Sequence, residues 1–426
     1  MGLTGCFVIE NTFTGLAPGP WRGVLLLDGK LPPGAKLQDP FNLKIEEVSS
    51  GELPFNFEVI YRDDESFYIE IINGEERIKV EDITMGLDKR MAKDTITIDF
   101  PVFESYIQGV YSVDVIQGEW VVTNRGEDYR IPFIAKYGVD YRFTPLQKEP
   151  LMDVSGRWEV TFEANSEEEA YKAIGEFNQE GNELRGTFMT ETGDYRFLEG
   201  TIQENKLYLS AFDASHAFLF EAKINEDSTM IGSFRSGNHY KAIWTAKRNP
   251  NFELRDPDQL TYLKEGFETI DFTFENPEGG VVSLSDPAYQ DKVKLVQLLG
   301  TWCPNCRDET QFLVNYLKEN KPSDLAVIAL AYERHKDAEK SKNAIRKYRQ
   351  RMGVDYPVLY AGNYNKEVAA KTLPMLNKII SYPTLIFIDK KNKVRRIHTG
   401  FNGPATSGYK DFVKTFEETV KTLIAE

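Results

Sequence analysis

Cysteine is scarce in this chain, which has 426 residues and only three cysteines, Cys6, Cys303 and Cys306. A secreted scaffold held together by disulfides would carry several more. Cys303 and Cys306 form a C-x-x-C pair. Such sparing use indicates that the pair performs chemistry rather than cross-linking the fold.

Long apolar runs and an excess of positive charge are also missing. No stretch reaches the roughly eighteen uninterrupted apolar residues that a membrane-spanning helix needs. The formal net charge is −15, and such a charge repels nucleic acid and anionic lipid surfaces. Nucleic acid is therefore not an expected partner. The length of the chain exceeds that of one ordinary core and predicts two or three domains.

The first half of the chain is rich in short runs that alternate between apolar and polar residues. Residues 66–71, 94–100 and 206–210 are examples, and turns rich in glycine, asparagine and aspartate separate such runs. This period of two predicts antiparallel strands with one solvated face. Only residues 166–174 indicate a short helical or loop insertion.

An internal duplication is visible in this β-rich region. Segments with similar patterns follow each other in the same order, and they pair as 74–78 with 193–197, 116–120 with 230–234, and 129–136 with 240–247. The last pair shares the pattern Y-[RK]-x-x-aromatic-x-A-K. We expect two related β units, and chance similarity between strand-rich segments is the alternative.

The pattern changes after a polar, proline-containing stretch at 249–258. Nearly continuous apolar runs, which suit strands buried on both faces, alternate there with helical stripes. The runs are 292–299, 325–331 and 384–388, and the stripes lie within 311–317, 338–351 and 409–424. This alternation predicts an α/β domain.

The C-x-x-C pair follows the first of these runs and opens a helix. Unsatisfied backbone N–H groups and the helix dipole favour a thiolate on Cys303 at that position. Cys306 lies one turn later, where it can attack a mixed disulfide formed on Cys303. The sequence thus predicts Cys303 as the nucleophile and Cys306 as the resolving cysteine of a redox-active disulfide.

Two other uses of the pair fit less well. A structural zinc site needs two further soft ligands, and we expect no metal because the histidines form no closely spaced pair (His216, His239, His335, His398). A peroxide-reducing cysteine sits in a P-x-x-x-T-x-x-C setting, whereas Thr301 lies two residues before Cys303. A peroxiredoxin-type peroxidase is therefore the less favoured alternative.

The region around the pair resembles the TlpA/ResA-like branch of thioredoxin-fold proteins, in the redoxin and AhpC/TSA-like superfamily. The motifs that carry the resemblance are Gly300-Thr301-Trp302-Cys303-x-x-Cys306 after a buried strand, and Tyr382-Pro383-Thr384 before a strand that ends in Phe387-Ile388-Asp389. The expected fold is multidomain, with a β-rich, antiparallel and duplicated N-terminal region and a C-terminal α/β thioredoxin fold. The expected parts are an anchor or flexible segment at 1–20, β-rich units at 21–148 and 149–250, a linker at 251–266, and the thioredoxin-like domain at 267–426.

The resemblance also implies roles for single residues. Pro383 is expected to be cis, beside the active disulfide, and to leave the preceding backbone free to pair with an extended substrate. Trp302 belongs to the same active-site motif. Thioredoxin has a buried aspartate where Gln297 stands, and a glutamine cannot titrate. Glu333, after a buried strand, is then the expected proton-transfer residue, and a solvated glutamate is the alternative.

The N-terminal Leu-Thr-Gly-Cys resembles a bacterial lipobox, in which the cysteine becomes lipidated. The basic and apolar regions that usually precede a lipobox do not stand before Cys6. A β-rich region joined to a thioredoxin-like domain looks like a class of envelope lipoproteins in Gram-negative bacteria. We therefore expect a protein of the periplasm or cell envelope that is anchored to a membrane through lipid on Cys6, with an incidental cysteine as the alternative.

The expected function is that of a thiol–disulfide oxidoreductase, in the reducing direction, with disulfide-containing proteins as substrates. The chain has no nucleotide-binding glycine-rich loop, so we expect no cofactor and an upstream thiol electron donor. An oxidase with an unstable disulfide is one alternative. Another is a ligand- or client-binding envelope protein in which the redox domain is auxiliary. A catalytic triad around His216 is disfavoured, because a single histidine among strands is more often structural.

Overall fold

The computed structural model describes residues 15–29, 48, 50–63, 66–89, 92–112, 114–126 and 129–426, so Cys6 lies outside the described residues. Their contacts divide the chain into two compact units. One comprises the described residues of 1–99, 106–121 and 130–145, and the other those of 100–105, 122–129 and 146–426. The domain boundaries expected from the sequence stay predictions. None of the helices in the described part of the chain is long and apolar enough to cross a membrane.

A first antiparallel sheet of nine strands is formed by the described residues between 19 and 137. Its order is β4-β3-β2-β1-β9-β8-β7-β6-β5, so β4 and β5 are unpaired edges and the sheet is open. Buried side chains alternate with more exposed ones along β3, β4 and β6, whereas β2 and β9 each carry five consecutive buried residues. The strands are β1 (Gly19–Leu26), β2 (Glu52–Tyr61), β3 (Phe67–Asn73), β4 (Glu76–Val80), β5 (Ile83–Asp88), β6 (Lys93–Phe100), β7 (Ser105–Tyr111), β8 (Val115–Val122) and β9 (Arg130–Tyr137).

A second antiparallel sheet closes into a barrel. Its order is β11-β10-β18-β17-β16-β15-β14-β12-β13, and an additional pairing of β11 with β12 joins the two ends. Inward aromatic rings fill the interior, where Phe188 and Phe234 both stack on Phe220 at 4.5 Å between ring centroids. The strands are β10 (Gly156–Phe162), β11 (Tyr171–Glu180), β12 (Glu183–Thr190), β13 (Gly193–Asp194), β14 (Leu198–Gln203), β15 (Lys206–Phe212), β16 (Ala217–Ile224), β17 (Thr229–Ser236) and β18 (Tyr240–Arg248).

The two sheets share most of one strand order, as the duplicated sequence patterns predict. In each sheet the first long strand pairs with the last one, β1 with β9 and β10 with β18. A tryptophan near the start of each sheet donates its indole N–H to the carbonyl four residues before it. The Trp21 Nε1–H donates to the carbonyl of Ala17 at 2.9 Å, and the Trp158 Nε1–H donates to that of Val154 at 2.8 Å. Each tryptophan is completely buried in its own sheet.

The C-terminal domain has a mixed sheet in the order β20-β19-β23-β22-β21-β24-β25. Strand β21 is parallel to β22 and antiparallel to β24, and every one of its side chains is buried. The predicted fold class is confirmed, with two large antiparallel sheets before a thioredoxin fold. The elements are β19 (Thr273–Glu275), β20 (Val281–Ser283), β21 (Val293–Leu299), α1 (Pro304–Asn320), β22 (Leu325–Glu333), α2 (Ala338–Met352), β23 (Val358–Asn363), α3 (Lys366–Ala370), β24 (Thr384–Ile388), β25 (Val394–Thr399) and α4 (Tyr409–Ala425).

The segment 166–174, expected to be a short helical or loop insertion, is a loop with a turn at its start and a strand from Tyr171, so no helix forms there. The Ser166 hydroxyl accepts the N–H of Glu169 at 3.3 Å, and one turn closes there. From Tyr171 onwards the chain pairs with β10 and contributes to the barrel interior. Three consecutive glutamates, at 167–169, lie in the exposed turn.

Candidate active site

Strand β21 delivers Cys303 to the N-terminus of α1. The strand is buried on both faces and ends at Leu299, and the helix begins at Pro304 with Cys303 as its N-cap. Proline suits the first helical position because its missing N–H would have no partner there. The Cys303 sulfur accepts the backbone N–H of Cys306 at 3.3 Å. This bond, together with the helix dipole, stabilises negative charge on Cys303.

The two cysteines are free thiols in different surroundings. The exposed fraction is 7% for Cys303 and 0% for Cys306. Burial, and next the hydrogen bond with Cys303, raises the pKa of the Cys306 thiol well above its ordinary value. Cys306 therefore stays protonated until another group accepts its proton. Of the two cysteines, only Cys303 is partly accessible to solvent.

Pro383 lies beside Cys303, and the Tyr382–Pro383 peptide bond is cis. The Cys303 thiol donates to the Tyr382 carbonyl at 3.5 Å between sulfur and oxygen. On the other side, the Gly400 N–H donates to the Pro383 carbonyl at 2.9 Å. The loop before β24 thus forms one wall of the site.

Trp302 forms a second wall. Its indole N–H donates to the Tyr332 carbonyl at 3.0 Å, which holds the ring over the end of β22. The guanidinium carbon of Arg334 lies 4.1 Å from the ring centroid, a cation–π distance. Burial and the charge of Arg125 lower the pKa of Arg334 to about 10, so the guanidinium remains charged.

Glu333 lies beneath the loop that leads to Cys303. One of its carboxylate oxygens accepts the Thr301 N–H at 3.0 Å and the other accepts the Thr301 hydroxyl at 2.7 Å. Its side chain is 1% exposed, and burial raises its pKa to about 7 against the two hydrogen bonds, which lower it. The glutamate is therefore buried rather than solvated. The Thr301 hydroxyl is directed to Glu333, which disfavours its use in activating a peroxide at Cys303.

The structure brings the residues expected from the sequence to one junction between loop and helix. Trp302, Cys303 and Cys306 share this junction with Pro383, and Glu333 supports it from below through Thr301.

Glu309 is a further buried carboxyl that the sequence analysis missed. It lies one turn beyond Cys306 on α1, is completely buried, and accepts the Gln297 side-chain N–H at 2.8 Å. Its second oxygen has no hydrogen-bond partner among the described residues. Burial raises the pKa of Glu309 to about 8, and its charge in turn contributes to the raised pKa of Cys306. A spacing of three from Cys306 was the available signal, because it places both side chains on one helix face.

The histidine for which a triad was considered has a structural environment. Asp213 caps the turn at 213–216 by accepting the N–H groups of Ser215 and His216 at 2.9 and 2.6 Å. Burial acts to raise the pKa of Asp213, but His216 and Arg196 outweigh it and hold the value at about 2. The Ser215 hydroxyl donates to the Trp302 carbonyl at 2.9 Å rather than to the histidine. No nucleophile is therefore prepared at this turn.

Comparison with known proteins finds a matching family for the C-terminal domain. Residues 264–412 match the family described as Redoxin. The thioredoxin-like protein YneN of Bacillus subtilis (strain 168) is 28% identical over 138 residues, which are 32% of this chain and 73% of that protein. The thiol-disulfide oxidoreductase ResA of the same organism is 25% identical over 138 residues, 32% of this chain and 69% of that protein.

A solved structure of a thiol:disulfide interchange protein from Chlorobium tepidum TLS covers 38% of this chain and 98% of its own, with 20% identity and a TM-score of 0.29. These similarities concern the C-terminal part of the chain. Residues 264–412 are a redoxin domain, and this part of the protein belongs to the thioredoxin-like thiol–disulfide oxidoreductases.

Proposed function

We propose that the protein reduces disulfides in the cell envelope, with Cys303 as nucleophile and Cys306 as resolving cysteine. The observation that carries the proposal is the position of the dithiol at the start of α1. There the Cys303 sulfur accepts the Cys306 N–H and is the less buried of the two. A redoxin domain is the fitting scaffold for this chemistry.

The reaction has two exchanges. In the first, the Cys303 thiolate attacks one sulfur of the substrate disulfide, whose S–S bond breaks and releases one thiolate. In the second, Cys306 loses its proton and attacks the Cys303 sulfur, which releases the other substrate thiolate. The substrate gains two electrons and two protons, and the chain is left with a Cys303–Cys306 disulfide. An upstream thiol donor then returns that disulfide to the dithiol.

Glu309 is the residue we propose as proton acceptor for Cys306. Its pKa of about 8 lies near neutral pH, where a carboxylate is effective as a general base. One of its oxygens has no partner among the described residues, and its charge acts on the Cys306 thiol. Glu333 contacts Thr301 rather than a thiol, so we propose that it positions the loop before Cys303. Pro383 and Trp302 would frame the approach of the substrate.

The proposed envelope location and lipid on Cys6 derive from the N-terminal Leu-Thr-Gly-Cys pattern and the resemblance to envelope proteins. Mass spectrometry of the protein taken from native membranes tests this part by itself. A diacylglyceryl mass on a peptide that begins at Cys6 is the expected result, and an unmodified Cys6 within a longer peptide would refute the anchor.

Trapping with single-cysteine variants tests the roles of the thiols. We expect Cys306→Ser to accumulate a mixed disulfide with native insulin, whose chains are joined by disulfides, because nothing resolves the bond to Cys303. Cys303→Ser, the matched control, should form no comparable adduct. Non-reducing electrophoresis and mass spectrometry of the adduct measure both, and equal trapping by Cys303→Ser would contradict the assignment.

The reduction potential of the pair tests the direction. A value near or below about −270 mV, that of thioredoxin, supports a reductase, and a value near about −120 mV would make the protein an oxidant. Equilibration of the full chain in dithiothreitol or glutathione buffers gives this value.

A further inference from the structure

Three loops lie together at Cys303. The first is the start of α1 at Pro304 and Asn305, which Cys303 caps. The second is the loop before Pro383, whose Tyr382 carbonyl accepts from the thiol, and the third is the segment 400–403, whose Gly400 N–H donates to the Pro383 carbonyl. An attacking thiolate needs in-line access to the substrate S–S bond. A polypeptide that carries this bond must therefore rest its flanking residues on these loops.

One turn of the barrel already lies on all of these loops. The turn comprises residues 191–196, between β12 and β14, and we call it the barrel turn. It belongs to the same compact unit as the redoxin domain. The Ser381 hydroxyl donates to the Thr192 carbonyl at 2.6 Å, and the Asn305 side-chain N–H donates to the Asp194 carbonyl at 3.1 Å. The Gly403 N–H donates to the Asp194 carboxylate at 2.6 Å.

Glycines on both sides allow this approach. Gly193 has φ +137°, and a Cβ placed there would collide with the Asn305 amide. Gly400 has φ +82°, and a Cβ there would meet the Thr192 carbonyl carbon at 3.2 Å and the Glu191 oxygen at 3.3 Å. The two backbones thus approach each other more closely than side chains would permit.

An ion pair connects the end of the barrel turn to helix α1. Arg196 is 5% exposed and pairs with Asp308 on α1, and its Nε lies 3.5 Å from the Asp213 carboxylate. Asp213 in turn caps the segment whose Ser215 donates to Trp302. The barrel therefore contacts the site on the Trp302 side as well as along the barrel turn.

We propose that the barrel turn occupies the surface on which a polypeptide substrate would lie, and so sets the substrate class of Cys303. Small disulfides reach the thiol directly, and disulfides within extended chains react only when the turn lifts. The inference rests on the proposed function, since it concerns access to the same thiol. Ser381 and Asn305 donate to carbonyls of the turn, which are the acceptors that an extended peptide would otherwise offer.

Reduction of two probes by the full chain tests this inference. Hydroxyethyl disulfide is the small probe and insulin is the polypeptide probe, and the quantity measured is the ratio of their rate constants. In Gly193→Ala the added methyl group collides with Asn305 and should displace the barrel turn. We therefore expect the rate constant for insulin, divided by that for hydroxyethyl disulfide, to rise roughly tenfold, which is the size of effect that an overpacked contact has. Because both probes react with one thiol, changes in the reactivity of Cys303 cancel in the ratio.

Gly181→Ala is the matched control, because Gly181 also has a positive φ, +61°, on the barrel but nothing within 4 Å of an added Cβ. Its ratio should equal that of the unaltered protein. Ser381→Ala removes one hydrogen bond without backbone strain and should raise the ratio in the same direction, which covers a failure of Gly193→Ala to fold.

An unchanged or lower ratio in both site variants would overturn the inference. Absence of activity on both probes in the unaltered protein would instead overturn the proposed function, and the inference with it. The two failures are thus distinguishable.

Discussion

At the scale of single residues, the buried carboxyl of Glu309 has the clearest kinetic consequence. We expect Glu309→Gln to slow the resolving step by about 10²-fold, the lower range for loss of a general base. In the unaltered protein this step should quicken as pH rises through about 8, where Glu309 becomes ionised. In the variant the rise should appear only at higher pH, where Cys306 ionises without help.

Rapid-mixing measurements of mixed-disulfide decay across pH provide the check. Glu319→Gln is the matched control, since Glu319 lies on the same helix but is exposed. An identical pH profile for Glu309→Gln and the unaltered protein would refute the assignment of Glu309 as proton acceptor.

The sequence was sufficient to find some residues of the site and insufficient for others. Cys303, Cys306 and Pro383 stand in motifs whose spacing implies their neighbours. Glu333 could be proposed because it ends a buried strand. Glu309 was passed over despite its spacing of three from Cys306, because a glutamate on a helix is usually solvated. Its burial depends on Gln297, which approaches from β21 and donates to the carboxyl.

At the scale of elements, closure separates the barrel from the open sheet. Among the described residues, β4 and β5 are the two unpaired edges of the open sheet, whereas β11 and β12 pair with each other and leave none on the barrel wall. Edge amides are free to exchange with water through local fraying. We expect the amides of β4 and β5 to exchange faster than those of β10 and β18.

Hydrogen exchange followed by mass spectrometry measures this difference. Strand β1, in the centre of the open sheet, is the internal control and should be protected like β10. Equal protection of β5 and β1 would mean that the edge is covered in solution.

Element types were predictable where one pattern dominated. The all-buried β21 and the amphipathic α4 follow from apolar runs and helical spacing. For residues 166–174 the sequence left a helix and a loop open, because a cluster of glutamates fits a helix and an exposed turn equally well. Barrel closure was not predictable: β11 and β12 form a local hairpin, but the ring also needs β12 to pair with β14. The described residues of the open sheet show no such pairing between β4 and β5.

At the scale of the whole molecule, Arg196 links the barrel to the redoxin domain. Its removal would leave Asp213, 4% exposed, without a charged guanidinium beside it. Breaking a buried ion pair by removing one partner costs about 3–5 kcal/mol. We therefore expect Arg196→Ala to lower the free energy of unfolding by this amount and to separate the unfolding of the barrel from that of the redoxin domain.

Urea unfolding followed by tryptophan fluorescence tests both effects. Lys148→Ala is the control, since Lys148 and Glu204 form an exposed pair at 3.7 Å whose loss should cost about 0–1 kcal/mol. A similar small cost for Arg196→Ala would show that the barrel and the redoxin domain are joined by other contacts.

The repeated strand order makes Arg196 one of two corresponding arginines, and the other is Arg77 in the first sheet. Arg77 bends back onto its own hairpin, where it donates to the carbonyls of Gly74 and Glu76 at 2.9 Å. Arg196 extends instead to Asp308 on the redox helix. An arginine at the same place in the repeated pattern thus closes a hairpin in the first sheet and ties the barrel to the redox helix in the second.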